Sequence, residues 1–369
     1  MVGTHLVALA VLLASATAKP VKPTDKVLGA KAFDALASTA VPIPTWTLVN
    51  GVEFPVMMLN TADLSPELIQ RTITKAHNLG ITNIDFHLGA EREGVAAAIK
   101  ALGRGSLFLT TKLDKPDAAI VTAAEGAALA RETLEAEYAA LGVDTIDMLL
   151  LKDSATCEVM QGQWAVLEEY LAAGKARALG TYNYCQFSLD CLAETATQMP
   201  MVNFLLRHVG MGVDATGIIE YGESLGIKTA SYGTLGEPVA LDEVLLNTTM
   251  RQIADRYGRT VEEVALKWNV QSGYAVTSRI TSDYAPDNEP QGSWCTNDCN
   301  AALTAMSQAY EWELEDEDMA TLNAMSFTAY TQSPTYYSSE GCPASFGVSV
   351  YPTASACSKW MPAYASAWC

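Results

Sequence analysis

The sequence predicts an α/β fold, a (β/α)8 TIM barrel preceded by a β-hairpin, and two observations carry that prediction. Short apolar runs alternate with helical segments eight times between residues 56 and 310. The runs are apolar throughout, which is typical of parallel strands covered on both faces. Eight such units in series close into a barrel. An open doubly wound sheet is the alternative, and it is disfavoured because no glycine-rich phosphate loop follows the first strand.

The elements follow one another with recognisable boundaries. An Asn-Gly pair at residues 50–51, flanked by apolar residues, predicts the hairpin. Ser65 before Pro66 predicts the beginning of the first helix, and Thr260 with Glu263 predicts the capping box of a later one. The strands are predicted at 56–59, 81–86, 107–111, 145–151, 176–181, 201–205, 228–232 and 274–277. The helices are predicted at 66–79, 93–102, 118–141, 161–173, 187–197, 215–225, 261–270 and 301–310, and the acidic run at 311–318 predicts the beginning of a further helix rather than a metal site.

Segments of different character flank the barrel, which we place at residues 45–327. Residues 1–18 end in an apolar stretch closed by Ala-Thr-Ala, the pattern of a signal peptide and its cleavage site; a buried helix is the alternative. Residues 19–44 are rich in Lys, Pro and Ala and predict a linker, with one short helix around 30–37. Residues 328–369 predict an irregular, cysteine-containing C-terminal extension that disulfides stabilise.

Composition and cysteine content indicate the cellular compartment of the protein and disfavour some classes of partner. The chain has 369 residues, of which 49% are hydrophobic and 18% charged, as in ordinary globular proteins. Eight cysteines and the glycosylation sequon that begins at Asn247 indicate an oxidising compartment, so we expect a secretory protein, extracellular or lumenal. The sequence leaves the disulfide pairing open. A net charge of −19 disfavours nucleic acid and anionic membranes as partners.

Charged residues stand at the ends of three successive predicted strands. Asp85 ends the second strand, Lys112 follows the third and Lys152 follows the fourth. Because barrels of this kind place their chemistry at the carboxyl ends of the strands, these residues predict a site. Ammonium groups held close together favour an amine nucleophile or the binding of a carbonyl or an anion. The alternative is a structural ion pair of Lys152 with Asp85 or Asp153.

Several stretches occur in an order that resembles a known family. They lie at 50–55, 80–85, 107–112, 141–151, 174–183, 264–268 and 314–319. Together they resemble the aldo-keto reductases, NADP-dependent oxidoreductases built on a (β/α)8 barrel, over about residues 46–327. The resemblance implies hydride transfer from a nicotinamide to a carbonyl compound and the transfer of a proton to its oxygen.

The resemblance also implies four catalytic residues, and half of them match. Asp85 matches an Asp that keeps a Lys charged, and Lys112 matches that Lys. The family has a proton-donating Tyr about five residues after this Asp, whereas residues 88–91 read Leu-Gly-Ala-Glu. Lys152 stands where the family has a substrate-orienting His. A carbonyl reductase with this sequence needs a substitute for the missing proton donor.

The cofactor implied by the resemblance is NADP. Asn183 matches an Asn that binds the nicotinamide carboxamide, and Tyr232 matches the Tyr that stacks on the nicotinamide. Arg279 is implied to contact the 2′-phosphate and Asn288 the adenine. Thr61, at the exit of the first strand, completes the implied cofactor contacts.

Two aromatic residues replace polar ones on the cofactor side. Tyr182 stands where the family has a Ser, and Phe204 stands where it has a carboxamide-binding Gln. Tyr182 and His87 are candidate substitutes for the missing acid. The alternative for Tyr182 is that its ring only fills space and narrows the pocket. The alternative for His87 is that it is a polar residue at the edge of a loop. A ring of Tyr182 or Phe204 inside the nicotinamide site would argue against reductase activity.

Two functions therefore stay open. The first is NADPH-dependent reduction of a small carbonyl substrate. The second is a catalytically inactive secreted barrel that binds a small ligand or a protein partner. For both we expect a monomer without a membrane span, a metal site or nucleic acid.

Overall fold

A computed structural model describes residues 41–327, except 63, 88, 90, 118, 153–155, 215–216, 238–239 and 281–299. The predicted signal peptide, the predicted helix at 30–37, most of the linker and the C-terminal extension lie outside the described residues. So does Asn288. Those interpretations remain predictions.

A two-stranded hairpin precedes the barrel, as predicted. Strands β1 (Thr45–Thr47) and β2 (Glu53–Pro55) are antiparallel, and Thr47 pairs with Glu53. Gly51 lies in the connecting loop with a φ of 82°, a left-handed conformation that glycine adopts without steric cost. Phe54 packs edge-on against Phe108, with the ring centres 5.4 Å apart. Because Phe108 begins a barrel strand, the hairpin covers the amino end of the barrel.

Eight parallel strands close into a barrel in chain order, which confirms the predicted fold. The last strand pairs with both its predecessor and the first strand of the barrel. The strands are β3 (Met57–Asn60), β4 (Asn83–Asp85), β5 (Phe108–Leu113), β6 (Ile146–Lys152), β7 (Ala176–Tyr182), β8 (Val202–Leu206), β9 (Lys228–Tyr232) and β10 (Ala275–Arg279).

Helices connect the strands on the outside of the barrel. Both predicted N-caps are present: Ser65 accepts a hydrogen bond from the amide of Leu68, and Thr260 forms its capping box with Glu263. The helices are α1 (Pro66–Asn78), α2 (Glu91–Leu102), α3 (Ala123–Leu141), α4 (Cys157–Ala172), α5 (Gln186–Ala193), α6 (Ile218–Ser224), α7 (Leu241–Leu245), α8 (Thr248–Tyr257), α9 (Val261–Gln271), α10 (Asn300–Gln308) and α11 (Asp316–Asn323). The sequence did not predict α7 and α8.

Apolar side chains fill two regions, the inside of the barrel and the layer between strands and helices. Met58, Met148 and Ala178 belong to the inner cluster. On the outside, a disulfide joins Cys157 of α4 to Cys191 of α5, with their Cα atoms 5.8 Å apart. Cys185 is disulfide-bonded as well. The three cysteines in the described part of the chain are thus all disulfide-bonded.

Helices α3 and α4 are in close contact at Gly162, which gives a test of the packing. A Cβ atom on Gly162 would lie 2.1 Å from the carbonyl oxygen of Ala123. We expect Gly162→Ala to lower the free energy of unfolding by about 1–3 kcal/mol, because the helices must move apart. Gly105 is the matched control, since a Cβ there meets nothing within 4 Å. Urea denaturation of both variants checks this, and equal midpoints would contradict it.

Candidate active site

A buried ion pair lies at the carboxyl end of the barrel. Lys112 of β5 donates a hydrogen bond from Nζ to Oδ1 of Asp85 on β4, at 2.6 Å. Asn60 of β3 and Thr277 of β10 donate to the other carboxylate oxygen, at 2.9 and 2.7 Å. Both charged side chains are fully buried. The sequence identified Asp85 and Lys112 as candidate site residues, but it did not identify the two neutral donors, Asn60 and Thr277.

These contacts decide the ionisation of the carboxyl group. Burial by itself raises the pKa of Asp85, because a buried charge loses its hydration. The ammonium of Lys112 and the hydrogen bond from Thr277 outweigh that penalty, so the pKa of Asp85 lies below its ordinary value. The carboxylate is therefore charged at neutral pH and fixes Lys112 in place.

A second polar cluster surrounds His87, two residues beyond Asp85. Glu91, the first residue of α2, accepts hydrogen bonds from the amide of His87 at 3.0 Å and from the hydroxyl of Thr61 at 2.7 Å. Its other oxygen lies 3.2 Å from Nδ1 of His87. Burial, and then the nearby charge of Lys112, lower the pKa of His87 below its ordinary value, although Glu91 opposes this shift. The imidazole is therefore neutral at pH 7.

Lys152 lies in a different environment from the one expected. Its ammonium pairs with Asp114 at 2.9 Å and not with Asp85, whereas Asp153, the other partner considered, lies outside the described residues. The side chain of Lys152 is 24% exposed and that of Asp114 is 52% exposed, so the pair lies at the rim of the barrel. Lys112 and Lys152 nevertheless share a neighbour, since their Nζ atoms lie 5.3 and 5.6 Å from the ring centre of Tyr182.

Three rings form an aromatic stack inside the mouth, namely those of Tyr182, Phe204 and Tyr232. The ring of Tyr182 stacks on that of Tyr232, with centres 4.6 Å apart and an angle of 25° between the planes. Its distance from the Phe204 ring is 6.3 Å. The side-chain amide of Asn183 donates a hydrogen bond to the hydroxyl oxygen of Tyr232. Tyr182, one of the two aromatic replacements, thus contacts the residue expected to stack on nicotinamide, and Phe204 packs against Tyr182.

Most of the residues implied to contact the cofactor share this edge of the barrel. Thr61 follows β3 and is fully buried, where its hydroxyl is used by Glu91. Asn183 follows β7 and has a left-handed backbone, with a φ of 57°. Tyr232 ends β9 and Arg279 ends β10. The chain therefore gathers the implied set at one mouth, apart from Asn288, which lies outside the described residues.

Two further observations concern the part of the chain that the structure describes. No group of three or more His, Cys, Asp or Glu side chains there is arranged to hold a metal ion. In the same residues, no helix combines the length and the apolar character needed to span a bilayer.

A closed parallel barrel with charged side chains at the carboxyl ends of its strands defines the (β/α)8 class, whose enzymes use this mouth. The sequence model of the Aldo/keto reductase family matches residues 56–326, and this chain belongs to that family. The family comprises oxidoreductases that act on small carbonyl compounds and generally use NAD(P)H.

Individual relatives agree with the family assignment. An aldo-keto reductase of Mycobacterium tuberculosis (strain ATCC 25618 / H37Rv) is 30% identical over 246 residues, which cover 66% of this chain and 83% of the relative. One of Mycobacterium leprae (strain TN) is 30% identical over 244 residues, with coverages of 64% and 81%. A solved aldo-keto reductase from a Medee basin deep-sea metagenome library superposes with a TM-score of 0.63 at 22% identity, covering 76% of this chain and 94% of that one.

The buried ion pair predicts a large effect of removing one charge. We expect Lys112→Met to lower the free energy of unfolding by about 3–5 kcal/mol at pH 7, because Asp85 is left as an uncompensated buried charge. Lys152→Met is the matched control and should cost about 0–1 kcal/mol, since its pair is partly exposed. Adding Asp85→Asn to Lys112→Met should recover part of the loss. Urea denaturation measures the free energy of unfolding of all three variants. Similar losses of stability for the two single variants would contradict the conclusion that Lys112 and Asp85 form a buried ion pair.

The environment of His87 predicts its titration. We expect an imidazole pKa below the ordinary 6.5, measured by NMR titration. Glu91→Gln should lower the pKa of His87 further, because the negative charge that opposes the shift is lost. Thr61→Val keeps that charge and should change the pKa of His87 less. Because the pKa of His87 is lower in the folded state than in the unfolded chain, the unfolded chain binds a proton at this residue first as the pH falls. Protonation of His87 therefore destabilises the folded state. A pKa at or above 6.5 in the unaltered protein would be inconsistent with the described contacts.

Proposed function

We propose that this chain is an aldo-keto reductase barrel that binds a small carbonyl compound at its mouth without the nicotinamide-dependent turnover of its family. The observation that carries the proposal is the ring of Tyr182 stacked on Tyr232 at 4.6 Å. That distance is a normal separation for stacked aromatic rings, so no further ring fits between them. A nicotinamide that stacks on this face of Tyr232 must first displace Tyr182.

The polar contacts of the same site support the proposal. The amide of Asn183 is already used by the hydroxyl of Tyr232. Phe204 is fully buried and has no donor or acceptor to offer a carboxamide. Residues 88–91 supply no phenol to donate a proton. The residues present therefore fit the nicotinamide group poorly, on both the stacking side and the hydrogen-bonding side.

The polar groups at the mouth suit a small carbonyl or anionic ligand. Lys152 at the rim is 24% exposed on its side chain, and His87 is 25% exposed. The ammonium of Lys152 donates hydrogen bonds to a carbonyl oxygen, whereas the neutral imidazole of His87, with Nδ1 directed to Glu91, offers Nε2 as a hydrogen-bond acceptor. Lys112 contributes through its charge, because it is buried against Asp85. The two ammonium groups favour an oxygen acceptor without requiring a cofactor.

The second candidate function is NADPH-dependent reduction of a small carbonyl substrate. It is favoured by the intact Asp85–Lys112 pair, which matches two members of the catalytic set implied by the resemblance. This function requires Tyr182 to leave the aromatic stack when the cofactor binds.

Cofactor binding separates the two candidates. We expect high micromolar NADPH to leave the tryptophan fluorescence of the purified protein unchanged, because Tyr182 covers Tyr232. Tyr182→Ser should create measurable quenching by removing the ring, whereas Tyr182→Phe keeps the ring and should not. Quenching of the unaltered protein, together with aldehyde reduction that Lys112→Met abolishes, would reject the first candidate in favour of the second. Calorimetry with small aldehydes and keto acids then tests ligand binding itself.

A further inference from the structure

The sequon at residues 247–249 begins at the N-cap of α8 and includes the first two residues of that helix. Asn247 is half-buried, and Thr248 after it is exposed. Leu246, the preceding residue, is 57% exposed, one of the most exposed large apolar side chains in the described part of the chain. The sequence contains this sequon once, so a single position is open to the modification.

The side chain of Asn247 uses one of its two polar atoms to cap a helix. Its Oδ1 accepts hydrogen bonds from the backbone amides of Thr249 at 2.9 Å and Met250 at 3.2 Å, as an N-cap of α8 should. Its Nδ2 takes no part in this cap. The capping atom and the atom that a glycan would occupy are therefore different atoms of the same amide.

We propose that Asn247 is a site of N-linked glycosylation. The reaction joins Nδ2 to the anomeric carbon of an oligosaccharide, displaces the lipid pyrophosphate that carried the sugar and releases one amide proton. No oxidant or reductant is required. The glycan leaves Oδ1 free to accept both backbone hydrogen bonds, so the modified residue still caps α8. The proposal requires that the chain enters the secretory pathway, as residues 1–18 predict.

The position of the sequon gives the glycan a physical consequence. A sugar on Nδ2 begins next to Leu246, whose side chain is mostly exposed to solvent. A hydrated oligosaccharide there shields an apolar side chain from contact with other molecules. It adds bulk and hydration without adding charge.

The test uses the full chain, expressed with its own N-terminus in a eukaryotic cell that secretes glycoproteins. We expect the secreted protein to migrate on a denaturing gel with the added mass of one glycan, a mobility step that peptide N-glycosidase removes. Enzymatic release in heavy-oxygen water should leave a labelled Asp at position 247, identified by peptide mass. A secreted chain without this step, or a chain that stays in the cytosol unmodified, would overturn the proposal.

Three variants separate the glycan from the helix cap. Asn247→Asp keeps an oxygen that accepts the same two backbone hydrogen bonds, but it has no amide to modify. Thr249→Ala destroys the sequon and keeps Asn247. Thr248→Ala changes only the variable middle residue, so it keeps Asn247 and an intact sequon. The mobility step should be lost in the first two variants and retained in the third. A step that persists in Asn247→Asp would place the modification elsewhere and reject the assignment.

Discussion

The buried pair of Asp85 and Lys112 is the interaction on which the mouth of this barrel depends. Two charges removed from water are costly, and they are tolerated only when each is paired and hydrogen-bonded. The carboxylate meets this condition by accepting bonds from Lys112, Asn60 and Thr277. These residues come from neighbouring strands, including the first and the last of the barrel. The network therefore spans the seam at which the barrel closes.

The other side of the mouth is aromatic, in contrast to the charged side that holds the ion pair. Where the family resemblance implies polar groups for a carboxamide, Tyr182 and Phe204 form part of an aromatic stack with Tyr232. Such a change is possible because the backbone hydrogen bonds of the strands and the apolar core determine the barrel. Side chains at the carboxyl ends that take no part in these interactions can differ without loss of the fold.

Much of the fold was predictable because its signals are local. Apolar runs marked every barrel strand, and the caps at Ser65 and Thr260 marked two helix beginnings. Helices α7 and α8 were missed, since α7 is a single turn and α8 is rich in charged and polar residues. The beginning of α3 was placed several residues early, because an alanine-rich sequence favours a helix but does not show where it starts. Thr122, which caps α3, was the overlooked signal.

The sequence by itself determined the barrel, the family and the charged residues that reach one edge, because strand order and strand ends follow from the chain. Only the tertiary structure decided which of these residues meet. It paired Lys152 with Asp114, enclosed the carboxylate of Glu91 between Thr61 and His87, and placed the ring of Tyr182 on Tyr232. These contacts join residues from different strands and loops. Their partners depend on the direction of each side chain in space, which spacing along the sequence does not specify.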